Sequence, residues 1–421
     1  MLKLIRSITV VLFLVIFGLS SSIFSQKTIN DLKPTVILIS IDGFRADYID
    51  LHAPPTIKAL AENGTRARYM KPPFPTKTFP AHYSIATGLY PDNHGIIENN
   101  IYDSETKSVF GLSRREEVMN PMWWGGEPVW NTAQKQGQIA GAFFWPGTET
   151  KIGGMQPKFW QTYDGTVTNF RRVDTVLGWL DLPQAERPTM ITLYFSDVDD
   201  AGHNHGPESP ETKAAVMTVD GAIERLVSGL ADRGLEKTAN LIIVSDHGMA
   251  PYKQRDAIVL DTMFDTNLAE RIFWTGEFVQ IFPKSGVETE DIIYDSIKKK
   301  LPSNANIYRR SEIPKRFNFG TNKRIAPIVV IPNEGTTLTT RERTVTAANN
   351  GRLDNVRGAH GYDNDLVSMR ATFVGHGQAF KQGFVSEPFE SVDVYELICK
   401  ILKIKPAKND GKFKRIKEVL D

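Results

Sequence analysis

The chain has 421 residues, enough for one large domain with an insertion or for two domains, and an apolar share of 41% lets it bury a sizeable core. Its 50 basic and 49 acidic residues nearly cancel, with no like-charge run beyond patches such as Lys298 to Lys300, so nothing points to a nucleic-acid polymer held by charge. One cysteine, Cys399, permits no internal disulfide, so stability must come from the core and from any bound metal.

In chain order, Lys3 and Arg6 precede an apolar run from Ile8 to Leu19 and a small residue, Ser25, before Gln26. This pattern predicts a cleaved secretory signal peptide over 1–25, too short to span a bilayer comfortably. The mature chain is therefore expected to be periplasmic or secreted, without a stable membrane anchor. The alternative is an uncleaved anchor. The lack of disulfides fits a bacterial periplasm better than an animal extracellular space.

Five short apolar, β-branched runs follow, each ending in polar or metal-binding residue types: "TVILIS" before Asp42, "IAGAFFW" ending at Trp145, "MITLYF" before Asp197, "NLIIVS" before Asp246 and His247, and "ATFVG" before His376. Runs of this kind read as strands covered on both faces. Helices are expected at Pro55 to Asn63 with Gly64 as the stop, His82 to Thr87, Val173 to Leu180, and Thr212 to Asp232. The fold class is α/β, a mostly parallel sheet flanked by helices. Residues 26–251 and 352–421 form its core, and 252–351 form a smaller inserted mixed α/β cap containing "TEDIIYDSIKKKL" and "APIVVIP". In open sheets of this class the site lies beyond the carboxyl ends of the strands, so the carboxylates delivered there should converge.

Between the first two long strands stands "PPFPTKTFPAHYSIATG", four prolines leading into a helix. Pro80 suits a first turn, which puts Thr78 or Phe79 at or near the N-cap, where unpaired N–H groups and the helix dipole favour an anion. Three histidines lie in what read as glycine-flanked acidic loops: His203 in "DVDDAGHNHGP", His247 in "SDHGM" and His360 in "GAHGYD". Imidazole and carboxylate are a ligand set for zinc or a similar ion. Asp246 and His247 with Asp42 would make one group; an Asp four before His203, together with His360, would make a second. Asp199 stands at that spacing, and "DVDD" also offers Asp197 and Asp200. His82 and His94 read as hydrogen-bonded structural residues, His205 as a loop-shaping residue, and Lys77 as solvated.

Together, "SIDGFRADY", "PTKTFPAHYSIATGLYPDNHGIIENNIYD", "GGEPVWNTA", "FFWPG", "DDAGHNHGP", "VSDHGM" and "GAHGYDN" closely resemble, in the same order, the ectonucleotide pyrophosphatase/phosphodiesterase family of the alkaline phosphatase superfamily. The resemblance covers roughly residues 34 to 410. It implies an alkaline-phosphatase-like fold and two Zn2+ ions, one held by Asp42, Thr78, Asp246 and His247 and the other by Asp199, His203 and His360. Thr78 would be the nucleophile of a covalent intermediate. Asn99 rather than Asn100 would donate to a phosphate oxygen, and Phe79 and Tyr163 would stack a base in a slot lined by Leu112, Trp145 and Tyr194. The expected partner is a small-molecule nucleotide; the oligomeric state is not indicated. The large animal members carry extra cysteine-rich modules and a nuclease-like domain, for which this chain has no room, so it is expected to be the catalytic domain alone.

The leading expectation is a nucleotide pyrophosphatase/phosphodiesterase releasing nucleoside 5'-monophosphates. The alternatives are a lipid or choline phosphodiesterase of the same family, which needs an aromatic and acidic cage, and a non-catalytic surface protein stabilised by structural metal. A phosphomonoesterase would want an arginine for the extra charge, and none stands beside the Thr78 motif. A sulfatase would want a modifiable Cys or Ser in place of Thr78.

Overall fold

The computed structural model describes residues 28–285 and 287–421, so the signal peptide expected over 1–25 lies outside the described residues. The apolar runs become strands because each can bury both faces: β1 (Val36–Ile41), β3 (Ala140–Phe143), β4 (Met190–Phe195) and β5 (Asn240–Val244); a short strand that is not such a run, β2 (Thr65–Ala67) with half-buried Arg66, lies between β1 and β3 in the chain. Four further strands, β6 (Ala269–Phe273), β7 (Val279–Pro283), β8 (Ala305–Arg309) and β9 (Ile328–Pro332), pair only with one another. The chain then returns with β10 (Phe373–His376) and β11 (Phe384–Ser386).

The main sheet has the order β11-β2-β10-β5-β1-β4-β3. Its centre, β5-β1-β4-β3, is parallel. Alternation along the strands divides the core in two. Val36 and Leu38 of β1 face one cluster, while Ile37, Ile39 and Ile41 face the other. The first face is covered by α2 (Thr78–Thr87) and α7 (Asp393–Leu402). The second is covered by α1 (Pro55–Asn63), α3 (Asn169–Leu180) and α5 (Pro210–Ala231). Two further helices used below are α4 (Asp197–His205) and α6 (Val287–Lys300).

Three local readings change. The "DVDDAGHNH" segment is helical rather than a loop, and its first turn carries three acids, which suit the positive end of a helix dipole. α2 begins earlier than expected: Thr78 is its first residue, and the N-cap position falls on Lys77, whose side chain makes no cap bond. β10 runs antiparallel to β5, with His376 opposite Leu241, so that histidine ends up at the edge of the sheet away from the other strand ends.

The segment expected as a cap contains the four-stranded antiparallel sheet β6-β7-β9-β8. It leaves and re-enters through adjacent antiparallel strands, Ala250–Lys253 and Val356–Ala359. One of its faces packs on α6 in a separate core of Val279, Ile281, Ile293, Ile297, Ile328 and Val330. The other joins the main core through Phe278, Phe317 and Phe319, which enclose Phe74 of the proline-rich lead-in.

Candidate active site

Parallel pairing sets the ends of β5, β1 and β4 nearly level, with Ser40 beside Val244 and Ile41 beside Phe195. The residues that follow these ends are Asp42, Asp246 with His247, and the first turn of α4. The turn after β1 is tight: Gly43 has φ +66°, and a Cβ there would stand 3.1 Å from Asp199, so glycine lets the two acidic segments meet. Its N–H donates to Asp246 Oδ1 at 3.1 Å.

α4 sorts the three aspartates. Asp197 turns away and accepts two bonds from Asn169, and Asp200 stays at the rim. Asp199 points inward, and one turn later on the same face stands His203, its Nε2 3.4 Å from Asp199 Oδ2. His205 is exposed.

The imidazoles are aimed by backbone. The Nδ1 atoms of His203, His247 and His360 lie 2.8 to 2.9 Å from the carbonyls of Gly358, Gly248 and Thr76. Donation through Nδ1 leaves each Nε2 lone pair turned into the site. The Nε2 atoms of His203 and His360 stand 3.0 Å apart, and the His247 and His360 rings stack with centroids 3.5 Å apart. His82 differs, since Ser40 and the Thr78 carbonyl engage both of its nitrogens. It braces the start of α2 beside Asp246, while His94 is buried against Ser84.

Four buried atoms in this cluster have no hydrogen-bond partner: Asp42 Oδ1, Asp199 Oδ1, Asp246 Oδ2 and His247 Nε2. His247 Nε2 and Asp246 Oδ2 are only 2.9 Å apart. Orphaned carboxylate and imidazole acceptors at this density fit a divalent cation and little else. Among the described residues, Asp42, Asp246 and His247 form one group able to hold an ion, and Asp199, His247 and His360 form a second. His247 therefore stands between the groups, and His203, more exposed, closes the second from outside.

The electrostatics agree. Burial first, then the Asp246 and Asp199 carboxylates, push Asp42 well above the usual carboxylate range. Burial also raises Asp199. Burial acts to raise Asp246, yet the adjacent His247 and His82 hold it well below that range. His360 is driven well below the usual imidazole range by burial, then by His247 and His203. His247, by contrast, is raised: burial opposes its charge, but Asp246 and Asp199 favour it. Crowded acids beside a neutral His360 are what a cation would resolve.

Beside this cluster opens a cavity of about 260 Å³. Asp42, Thr78 and Asp199 line its inner end, and Phe79, Leu112, Trp145, Tyr163 and Tyr194 its walls. At the start of α2 the Phe79 N–H donates to Asn99 Oδ1 at 2.9 Å, which seats the Asn99 amide at the helix N-terminus. The Tyr194 hydroxyl donates to Asp42 Oδ2 at 2.7 Å, so this ring belongs to both the wall and the cluster. Trp145 is only 3% exposed and donates to the His82 carbonyl, a floor rather than a rim. Tyr163 stands 40% exposed at the mouth, edge-on to Phe144.

Sequence reasoning missed several residues. Arg115 and Glu149 line the same cavity and pair with each other, so an arginine does reach the site from a segment distant in sequence. Glu149 follows "FFWPG" closely, which was its one available signal; Arg115 sits in an unremarkable charged stretch. Lys77 is not solvated: it is 7% exposed and bound to Glu277. Wider surface grooves, such as one of about 600 Å³ between α3 and α5, are lined by the exposed ion pairs Arg225–Asp174 and Arg233–Asp181 and gather no reactive set.

A family model described as type I phosphodiesterase / nucleotide pyrophosphatase matches residues 36–363. Over 388 residues the chain is 37% identical to the rat ectonucleotide pyrophosphatase/phosphodiesterase family member 3, covering 90% of this chain and 43% of that one. It is 38% identical to a venom phosphodiesterase of Crotalus durissus collilineatus, covering 89% and 45%. The chain thus spans less than half the length of these curated relatives. A solved structure of murine ectonucleotide pyrophosphatase/phosphodiesterase 5 superposes with a TM-score of 0.85 at 31% identity, covering 92% of this chain and all of that one. An inactive threonine-to-alanine variant of the same murine protein, in complex with AMP, matches equally well at 30% identity.

Proposed function

Because the chain belongs to the type I phosphodiesterase / nucleotide pyrophosphatase family, we propose that it hydrolyses phosphodiester or phosphoanhydride bonds of small nucleotides and releases nucleoside 5'-monophosphates. The observation that carries this reading is the pairing of four orphaned buried ligand atoms with an aromatic-walled cavity opening onto Thr78.

Two Zn2+ ions would be held by Asp42, Thr78, Asp246 and His247 and by Asp199, His203 and His360, with His247 close to both groups. When bound they would neutralise charge on the phosphoryl oxygens and favour the ionised hydroxyl. The Thr78 Oγ forms a bond to phosphorus while the bond to the leaving oxygen breaks, and its proton passes to solvent. Water then forms the second bond to phosphorus as the threonyl ester breaks, restoring the hydroxyl. Asn99, whose Oδ1 is taken by the Phe79 N–H, has its amide hydrogens left to donate to a phosphoryl oxygen. Phe79 and Tyr163 grip the base between them, and such stacking accepts any base. The AMP bound to an inactive threonine-to-alanine relative is in keeping with a threonine nucleophile and a nucleotide slot.

A choline headgroup is disfavoured. Its cage needs an uncompensated carboxylate enclosed among the aromatic walls; Glu149 is already paired with Arg115, and Asp200 stands exposed at the rim. Arg115 is likewise neutralised by that pair and is poorly suited to the extra charge of a phosphomonoester. The apolar N-terminal run is consistent with export to a periplasm or beyond.

The test is parallel kinetics on ATP, a dinucleoside polyphosphate, a cyclic dinucleotide and a glycerophosphocholine. Nucleotide turnover with a 5'-monophosphate product is expected; preference for glycerophosphocholine by tenfold or more would replace this reading with the lipid one.

A further inference from the structure

The segment that presents Thr78 is tied to the segment that presents His360. The Thr76 carbonyl lies 2.8 Å from His360 Nδ1, while the Thr76 hydroxyl accepts from the Gly361 N–H at 2.8 Å and donates to the Tyr362 carbonyl at 3.1 Å. Lys77 crosses this joint. Gly361 has φ +116°, and a Cβ there would come within 2.4 Å of Lys77 Cε, so glycine at this position makes room for the lysine stem.

A lysine buried to this degree needs a partner, since an uncompensated ammonium in the interior is strongly destabilising. The partner comes from the small sheet. Glu277, two residues before β7 and 8% exposed, accepts from Lys77 Nζ at 2.6 Å. The contacts on either side reinforce this one: Phe74 stacks on Phe317 with centroids 4.1 Å apart, and the Tyr362 hydroxyl donates to the Thr336 carbonyl. Yet none of the residues lining the nucleotide-sized cavity comes from the small-sheet segment. The insertion touches the reactive threonine's support and leaves the binding cavity to other segments.

We propose that Lys77 and Glu277 are positioning residues, a buried ion pair through which the small sheet holds Thr78 in register with His360. This inference rests on the phosphodiesterase reading for its kinetic consequence. The insertion then acts on the chemical step and not on nucleotide affinity, because a displacement of about 1 Å at a nucleophile is enough to cost about a hundredfold in rate.

The full-length protein, loaded with zinc, is compared with Glu277→Gln and Glu277→Asp. AMP affinity is measured by calorimetry, kcat and KM on a chromogenic nucleotide diester, and backbone amide exchange by mass spectrometry over residues 74–82. In Glu277→Gln, kcat is expected to fall about 10- to 100-fold with KM and AMP affinity within about twofold, and exchange over 74–82 to rise about tenfold while β1 and β5 stay protected. Glu277→Asp keeps the charge and should recover part of the rate. Unchanged kcat and unchanged exchange overturn the proposal, as does a loss of AMP affinity in step with kcat. If Glu277→Gln does not fold, Glu277→Asp decides by the same criteria. A wild-type protein that never turns over the diester refutes the phosphodiesterase reading alone, and the exchange and AMP measurements still judge the ion pair.

Discussion

The ligand cluster and the aromatic cavity share Asp42 and Tyr194 but are built differently. Asp246 and His247 are fully buried, and each imidazole turned inward is anchored by a backbone carbonyl. The cavity wall includes Tyr163 and Leu112, 40% and 41% exposed, and its partners are mainly ring edges. Sheet register and backbone hydrogen bonds hold the first region. Side-chain packing shapes the second more loosely. On the proposed function the difference follows what each would do: bond-making depends steeply on distance, whereas stacking tolerates a range of positions and bases.

The sharpest way to break this contrast is at Thr78. Thr78→Ala should keep its fold, zinc content and AMP affinity while turnover of a nucleotide diester drops by several orders of magnitude. Near-normal turnover would remove the covalent route and with it the claim that the cluster serves chemistry.

Metal removal comes next. Chelation should abolish hydrolysis, leave far-UV circular dichroism unchanged and lower the Tm by several degrees, about 4 or more, with zinc restoring both properties. Hydrolysis that survives exhaustive chelation would sink the two-metal reading. Collapse of the fold would favour a structural role for the ions.

On the other side of the contrast, Tyr163→Ala should raise KM for nucleotides about tenfold with kcat nearly unchanged, since a stacked base is worth about 1 to 3 kcal/mol. An equal fall in kcat would show that the wall also orients the reacting phosphorus.

The smallest effect concerns Glu98, buried next to Asn99, where it accepts from the Asn100 N–H at 2.7 Å. Burial pushes its carboxyl from the usual 4.5 up to about 7, only partly opposed by Lys77. A carboxyl raised in this way stabilises the fold fully below its unfolded value and loses that contribution as pH rises through about 7. Replacing it with an uncharged isostere, Glu98→Gln, should therefore flatten the decline in Tm between about pH 5 and about pH 8 by a few degrees, read by thermal denaturation. An unchanged slope would mean that Glu98 is already ionised in the folded protein.

Much of the fold was legible because strands buried on both faces leave an unbroken apolar run, and the helices stop at glycines such as Gly64 and Gly88. The start of α2 was placed too late because the helix opens on Thr78 without a side-chain cap, so the usual signal is absent. The acidic segment after β4 reads as a loop because its glycine and aspartates mimic turn chemistry; only the four-residue spacing of Asp199 and His203 marks a helix face. Lys77 reads as solvated because charge in a sequence signals solvent unless a partner is in view, and Glu277 lies 200 positions away.

The sequence by itself determined the strand ends, the helix after the proline-rich segment and the residue types gathered for a cation, because periodicity and ligand chemistry are local properties. The tertiary structure decided which aspartate of "DVDD" turns inward, that His247 stands between two ligand groups, that Arg115 and Glu149 meet in the cavity, and that the insertion grips Lys77. Each of these depends on elements far apart in the chain being brought to one sheet edge, and pairing register and packing, not local pattern, set those distances.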